Sequence, residues 1–122
     1  YRLHQEIVLG IGGVRMLYAL RYSKVERFHM NEGRASLLVL ELLKRHNRIQ
    51  PAEWDFNSVR EQCIFTIHRP SPAEPDQFDY SLVQYTLGQV VPLEMLQMLA
   101  GCDRLNATTL GLNLSRYING VA

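Results

Sequence analysis

Two short β-favouring runs on either side of a helical segment place the strongest constraint on the fold of this chain. The runs are VERFHM, residues 25–30, and CIFTI, residues 63–67, which is continuously apolar as in a buried parallel strand. Between them, residues 34–45 carry leucines at helical spacing, and Asp55 is a suitable N-cap for a further short helix. A strand, a helical crossover and a second strand predict a βαβ unit with parallel strands. We therefore expect an α/β fold that is rich in helix and has a short parallel sheet.

This unit predicts where a site would lie without the use of any motif. Ligands of open parallel sheets bind just beyond the carboxyl ends of the strands. The loops at these ends are NEGR, residues 31–34, and HRPSP, residues 68–72. If the two strands are neighbours, both loops face the same crevice.

The glycine-rich stretch EIVLGIGGVR, residues 6–15, has two interpretations: a strand that leads into a phosphate-binding loop, or a helix. Apolar residues recur three or four positions apart from Leu3 to Tyr18, straight through the glycines. Arg15 also stands where a dinucleotide-binding GxGxxG motif needs its third glycine. We therefore predict one helix, in which Gly10 and Gly13 let a neighbouring backbone come close.

The second half of the chain is predicted to be an irregular loop followed by two helices. Residues 68–80 carry three prolines and read as the loop, and PLEMLQMLA, residues 92–100, is helical. The last helix is expected to run from Asn106 as its cap to about Ile118, with Gly120 as its C-terminal stop.

Composition excludes several classes of function. Thirteen basic and twelve acidic residues leave a formal charge of +1, so a strongly basic nucleic-acid surface is unsupported. We find no signal peptide and no apolar run long enough to cross a membrane. Cys63 and Cys102 have no CxxC spacing and are predicted to be free, buried thiols in a reducing compartment. The chain begins at Tyr1 inside an amphipathic pattern, so we expect a segment of a longer protein.

The candidate site residues each have a structural alternative. Asn31 and Glu32 lie at a strand end, where Glu32 could accept hydrogen bonds from substrate hydroxyls; local pattern alone favours a helix cap. His68 follows the second strand as an acid–base or hydrogen-bonding group, or equally as a structural histidine. Arg69 reads as a solvated loop residue. The four histidines share no metal-ligand spacing, so no metal site is predicted.

Four blocks resemble the α-glucan phosphorylase family, in the branch that includes bacterial maltodextrin- and glycogen-type enzymes. They are HQEIVLGIGGVR, HMNEG, IFTIHRPSP and LGLNLSRYINGVA, and they occur in order over nearly the whole chain. The resemblance implies two facing Rossmann-like halves of GT-B type, with the active site between them. Residues 1–122 would form a single partial domain of the N-terminal half.

The resemblance also implies an activity for the intact parent. Such an enzyme transfers a terminal α-1,4-linked glucosyl unit from a glucan or maltooligosaccharide to inorganic phosphate, giving glucose 1-phosphate. Its pyridoxal phosphate is held by a lysine of the C-terminal half, which this chain lacks, so the chain alone is expected to be inactive. A cytoplasmic location is expected, and the resemblance implies a protein of a family whose members are often homodimeric.

This sequence matches the site residues of the family pattern at some positions and differs at others. The family pattern MNEGH is matched by Asn31 and Glu32, whereas Arg34 replaces histidine; all three are predicted to bind substrate. His68 matches the histidine that lies against the glucosyl unit and is the predicted catalytic residue, while Arg69 beside it replaces a threonine. The two arginines indicate a decayed copy or a changed specificity, and we favour decay. The alternatives are a non-catalytic glucan-binding or interaction module and a nucleotide-cofactor protein, against which Arg15 argues.

Overall fold

A computed structural model of the protein describes residues 1–49, 54–68, 77–88 and 90–120. Seven α-helices and five strands lie within these ranges. The helices are α1 (Arg2–Ile7), α2 (Gly13–Ala19), α3 (Leu38–Ile49), α4 (Phe56–Gln62), α5 (Tyr80–Leu87), α6 (Leu93–Ala100) and α7 (Ala107–Asn113). The strands are β1 (Phe28–Asn31), β2 (Cys63–Ile67), β3 (Gln77–Asp79), β4 (Arg104–Asn106) and β5 (Tyr117–Gly120). A π-helical turn, Val8–Gly12, joins α1 to α2, and a 3-10 turn, Gly33–Ala35, precedes α3.

The predicted βαβ unit is confirmed. β1 pairs with β2 in parallel, with Asn31 opposite Thr66, and α3 and α4 form the connection between them. The cap of α4 is also as predicted, because the Asp55 carboxylate accepts a hydrogen bond of 2.9 Å from Ser58 N. A separate antiparallel pair is formed by β3 and β4. The described chain is therefore a helix-rich α/β fold around a small parallel sheet, as the sequence indicated.

The end of the chain differs from the prediction. Asn106 does cap α7, since its side chain accepts from Thr109 N at 3.1 Å. The helix ends at Asn113, however, and Tyr117–Gly120 forms a third parallel strand, β5, beside β2. Arg116 N donates to Cys63 O at 3.0 Å where this pairing begins. Pairing with a buried strand thus overrides a local pattern that continues at helical spacing, and Gly120 is not a helix stop.

The loop predicted over residues 68–80 is partly wrong. Its last residues form β3, and Tyr80 begins α5. Arg69 and the three prolines belong to residues 69–76, outside the described residues.

The prediction that both thiols are buried is half right. Cys63 is buried, which raises its pKa to about 12, but Cys102 is exposed. Within the described ranges, none of the helices has both the length and the apolar character needed to span a membrane.

The N-terminal stretch is helical throughout residues 2–19, so the prediction of a helix in place of a phosphate loop is confirmed. A Cβ added at Gly10 would lie 2.7 Å from Leu38 N and 3.2 Å from Ala35 O. Gly10 therefore lets this helix pack directly on the backbone that leads into α3. The same role predicted for Gly13 is wrong, because a Cβ there would meet nothing within 4 Å.

An ionic cluster also joins this helix to α3. Glu41 is 1% exposed and pairs through Oε1 with Arg15 Nε at 3.1 Å and through Oε2 with Arg45 Nε at 3.0 Å. The Arg45 guanidinium lies 4.0 Å from the ring centre of Tyr18, within the range of a cation–π interaction. Arg15, which breaks the dinucleotide motif, thus has a structural partner.

The two glycines provide a matched test of this packing. We expect Gly10→Ala to lower the free energy of unfolding by about 1–3 kcal/mol, because the methyl group meets fixed backbone. Gly13→Ala should raise it by about 1 kcal/mol, since alanine favours the helix and the site is open. Denaturant unfolding followed by circular dichroism measures both values. Changes of the same sign in the two variants would contradict the packing described.

Candidate functional site

The site lies where β1 and β2 end side by side. Asn31 is the last residue of β1 and Glu32 follows it, while His68 comes directly after β2. His68 N donates to Glu32 Oε1, and His68 Nε2 is hydrogen-bonded to Asn31 Oδ1. The amide oxygen can only accept, so the ring donates from Nε2. The structure therefore brings together the three residues that the strand ends predicted, and it holds His68 by its backbone and by its ring.

Glu32 is fixed in a conformation that favours glycine. Its φ is +69° and its ψ is 174°, a region that costs a non-glycine residue about 1–3 kcal/mol. The Glu32 N–H donates to Thr66 O at 2.8 Å, and this bond completes the last pair of β1 and β2, Asn31 with Thr66. The side chain does not cap the 3-10 turn that begins at Gly33. The cap that local pattern favoured is thus absent at Glu32, whose carboxylate holds His68.

A cavity of about 620 Å³ opens over these residues. Its lining combines both strand ends with the N-terminal helix and consists of Leu9, His29, Asn31, Glu32, Arg34, Ala35 and His68. A second cavity of about 310 Å³ shares two of these residues, Leu9 and Arg34. Each predicted site residue that the structure describes therefore faces one connected surface.

Arg34 lies at the junction of the two cavities. It is exposed, and its guanidinium forms no hydrogen bond or ion pair with the described residues. A permanent positive charge that is not already paired can bind an anion or several hydroxyl groups of a ligand. Arg69, the other arginine at the predicted site, is outside the described residues.

His29 is a cavity residue that the sequence reasoning missed. It lies two positions before Asn31 on β1, so the two side chains share one face of the strand. His29 Nε2 is 2.6 Å from Thr66 Oγ1. The sequence signal that identifies His29 is the two-residue period of a strand, which places it on the same face as Asn31.

The cavity does not offer the groups that a metal or pyridoxal phosphate needs. Across the described ranges, no three His, Cys, Asp or Glu side chains are close enough together to hold a metal ion. The lysines of the chain are Lys24 and Lys44, and neither is among the residues that line the cavity. The described residues that line the cavity therefore provide no attachment point for the aldehyde of the cofactor.

Comparison with known proteins gives the family. A glycogen phosphorylase of Mycobacterium tuberculosis is 33% identical over 146 residues, which cover 100% of this chain and 16% of that protein. A maltodextrin phosphorylase of Thermococcus litoralis is 31% identical over 130 residues, covering 99% and 15%. A glycogen phosphorylase of Aquifex aeolicus is 27% identical over 137 residues, covering 99% and 19%. No protein-family model matches the chain.

The described residues form a helix-rich α/β fold around a small parallel sheet. Along its whole length the chain is similar to a part of these glycogen and maltodextrin phosphorylases. The chain spans only 16% of the length of the mycobacterial relative. The activity of a complete phosphorylase is therefore proposed for its intact parent and not for this chain.

The conformation of Glu32 can be tested with two substitutions that both remove its carboxylate. Glu32→Ala keeps the backbone strain, whereas Glu32→Gly relieves it. Relief of about 1–3 kcal/mol exceeds the added chain entropy of glycine, about 0.5–1 kcal/mol. We expect the glycine variant to be the more stable of the two by about 1 kcal/mol in denaturant unfolding. An alanine variant of equal or greater stability would show that Glu32 is not strained.

Proposed function

We propose that the chain is part of the N-terminal, GT-B type half of an α-glucan phosphorylase, and that its strand ends receive the terminal glucosyl unit of the glucan. The observation that supports this is the convergence of Asn31, Glu32 and His68 on one cavity. The intact protein would transfer an α-1,4-linked glucosyl unit to inorganic phosphate and release glucose 1-phosphate.

His68 is the proposed catalytic residue because it is positioned from two sides. The Glu32 carboxylate holds its backbone, and the Asn31 amide oxygen holds its ring through Nε2. In a neutral ring that donates from Nε2, Nδ1 is the nitrogen left to accept a hydrogen bond. A glucosyl unit in the cavity presents hydroxyl donors, so the ring would orient the sugar by hydrogen bonding.

Arg34 is the proposed substrate-binding residue at which this sequence differs from the family pattern. Its unpaired charge suits an oxygen-rich ligand, but it stands where the family pattern has histidine. This replacement favours one alternative, a degenerate glucan-binding or interaction module without catalysis. The flanking coding sequence separates the two: a second half with the cofactor lysine supports the enzyme, and stop codons support the degenerate copy.

Glucan binding is the first prediction of this proposal. Maltoheptaose added to the ¹⁵N-labelled chain should shift the amide resonances of residues 31–34 and of His68, and leave those of β3 and β4 unchanged. His68→Ala should weaken binding, because the ring hydrogen bond to the sugar is lost. His46→Ala is the matched control, since its ring contacts Gln62 Oε1 at 3.0 Å and does not line the cavity. Absence of shifts at millimolar maltoheptaose would refute the proposed site.

The second prediction concerns catalysis by the isolated chain. With maltoheptaose, phosphate and added pyridoxal phosphate, we expect no glucose 1-phosphate, because no lysine that could attach the cofactor is among the described residues that line the cavity. A coupled assay for glucose 1-phosphate measures this, with a complete phosphorylase as the positive control. Product above the background of a heat-denatured sample would show that the chain is an enzyme by itself.

A further inference from the structure

A line of hydrogen bonds crosses the three parallel strands beside the cavity. His29 Nε2 on β1 lies 2.6 Å from Thr66 Oγ1 on β2, and Thr66 Oγ1 donates to Asn119 Oδ1 on β5 at 2.6 Å. Thr66 is opposite Asn119 in the strand register and is 6% exposed. These two hydrogen bonds connect β5, at one edge of the sheet, to His29 in the lining of the cavity.

The number of protons in this line fixes the direction of each hydrogen bond. The Thr66 hydroxyl has one proton, and it is donated to Asn119 Oδ1, which can only accept. Thr66 Oγ1 must then accept from the histidine, so His29 carries a proton on Nε2. A neutral His29 therefore keeps Nδ1 as its acceptor.

The same arrangement occurs at His68, whose Nε2 donates to Asn31 Oδ1. Both imidazoles line the one cavity, and each has its Nε2 proton engaged by a strand residue. The hydroxyl groups of an uncharged ligand can donate hydrogen bonds to the two Nδ1 atoms.

We propose that His29 is a second substrate-binding histidine, which accepts a hydrogen bond at Nδ1 from a sugar hydroxyl and is oriented by Thr66 and Asn119. This inference rests on the proposed function, because the sugar is the ligand of that site. Thr66 and Asn119 act through His29 and are positioning residues.

The ring nitrogens of His29 provide the direct test. Long-range ¹H–¹⁵N spectra of the labelled chain, recorded at alkaline pH where histidine is ordinarily neutral, distinguish the two tautomers. His29→Gln assigns the signals. We expect the Nε2-protonated form in the free chain and an upfield shift of His29 Nδ1 when maltoheptaose is added. An Nδ1-protonated ring, or an Nδ1 signal that does not move on binding, would overturn the inference.

Substitutions separate positioning from simple structural support. Loss of one hydrogen bond predicts that His29→Ala binds maltoheptaose about three- to tenfold more weakly. Thr66→Val should produce a similar loss, and Thr66→Ser, which keeps the hydroxyl, should restore binding and the His29 tautomer. Equal binding by the valine and serine variants would contradict the positioning role.

The failure of this inference is distinguishable from that of the proposed function. If maltoheptaose shifts the backbone amides of Glu32 and His68 but not the His29 ring, His29 alone is excluded. If it shifts none of them, the proposed glucan site itself is refuted.

Discussion

The parallel pairing of β1 with β2 determines whether the candidate site exists at all. It places Asn31 opposite Thr66, and the Glu32 N–H then donates to Thr66 O at 2.8 Å, so the two loops leave the sheet at the same level. A slip of one residue would move Asn31 to the opposite face of the sheet. The contact of Glu32 with the His68 backbone depends on this register, and so does the strained turn at Glu32.

The N-terminal helix supports the same turn from outside the sheet. Gly10 packs on the backbone of Ala35 and Leu38, just after the turn, and Leu9 beside it lines the cavity. A buried carboxylate needs partners to offset its desolvation, and Glu41 has two arginines, one of them on this helix. Close packing and the ion pairs thus hold the helix against the segment that carries Glu32 and Arg34.

The features predicted from sequence are those that local pattern or topology determines. The apolar runs and the crossover specified two parallel strands, and that topology alone placed Asn31, Glu32 and His68 together. The resemblance to α-glucan phosphorylases, carried by four blocks, is supported by the relatives that cover the whole chain.

The features that sequence did not reveal depend on distant contacts. β5 follows a segment with helical spacing, and it forms a strand because β2 has an edge available to pair with it. The open surroundings of Gly13 could not be known before the packed face of its helix was known. The hydrogen bond of His29 could not be predicted from local pattern, because its partner Thr66 lies on a strand far along the chain.

The proposed function requires that the ends of β1 and β2 form one sugar-binding site. A crystal structure of the chain with a bound maltooligosaccharide tests it most directly. We expect a terminal glucosyl unit in the cavity that Glu32 and His68 line, with a sugar hydroxyl within hydrogen-bonding distance of the His68 ring. A sugar bound elsewhere on the chain while this cavity remains accessible, or strand ends that lie apart, would contradict it.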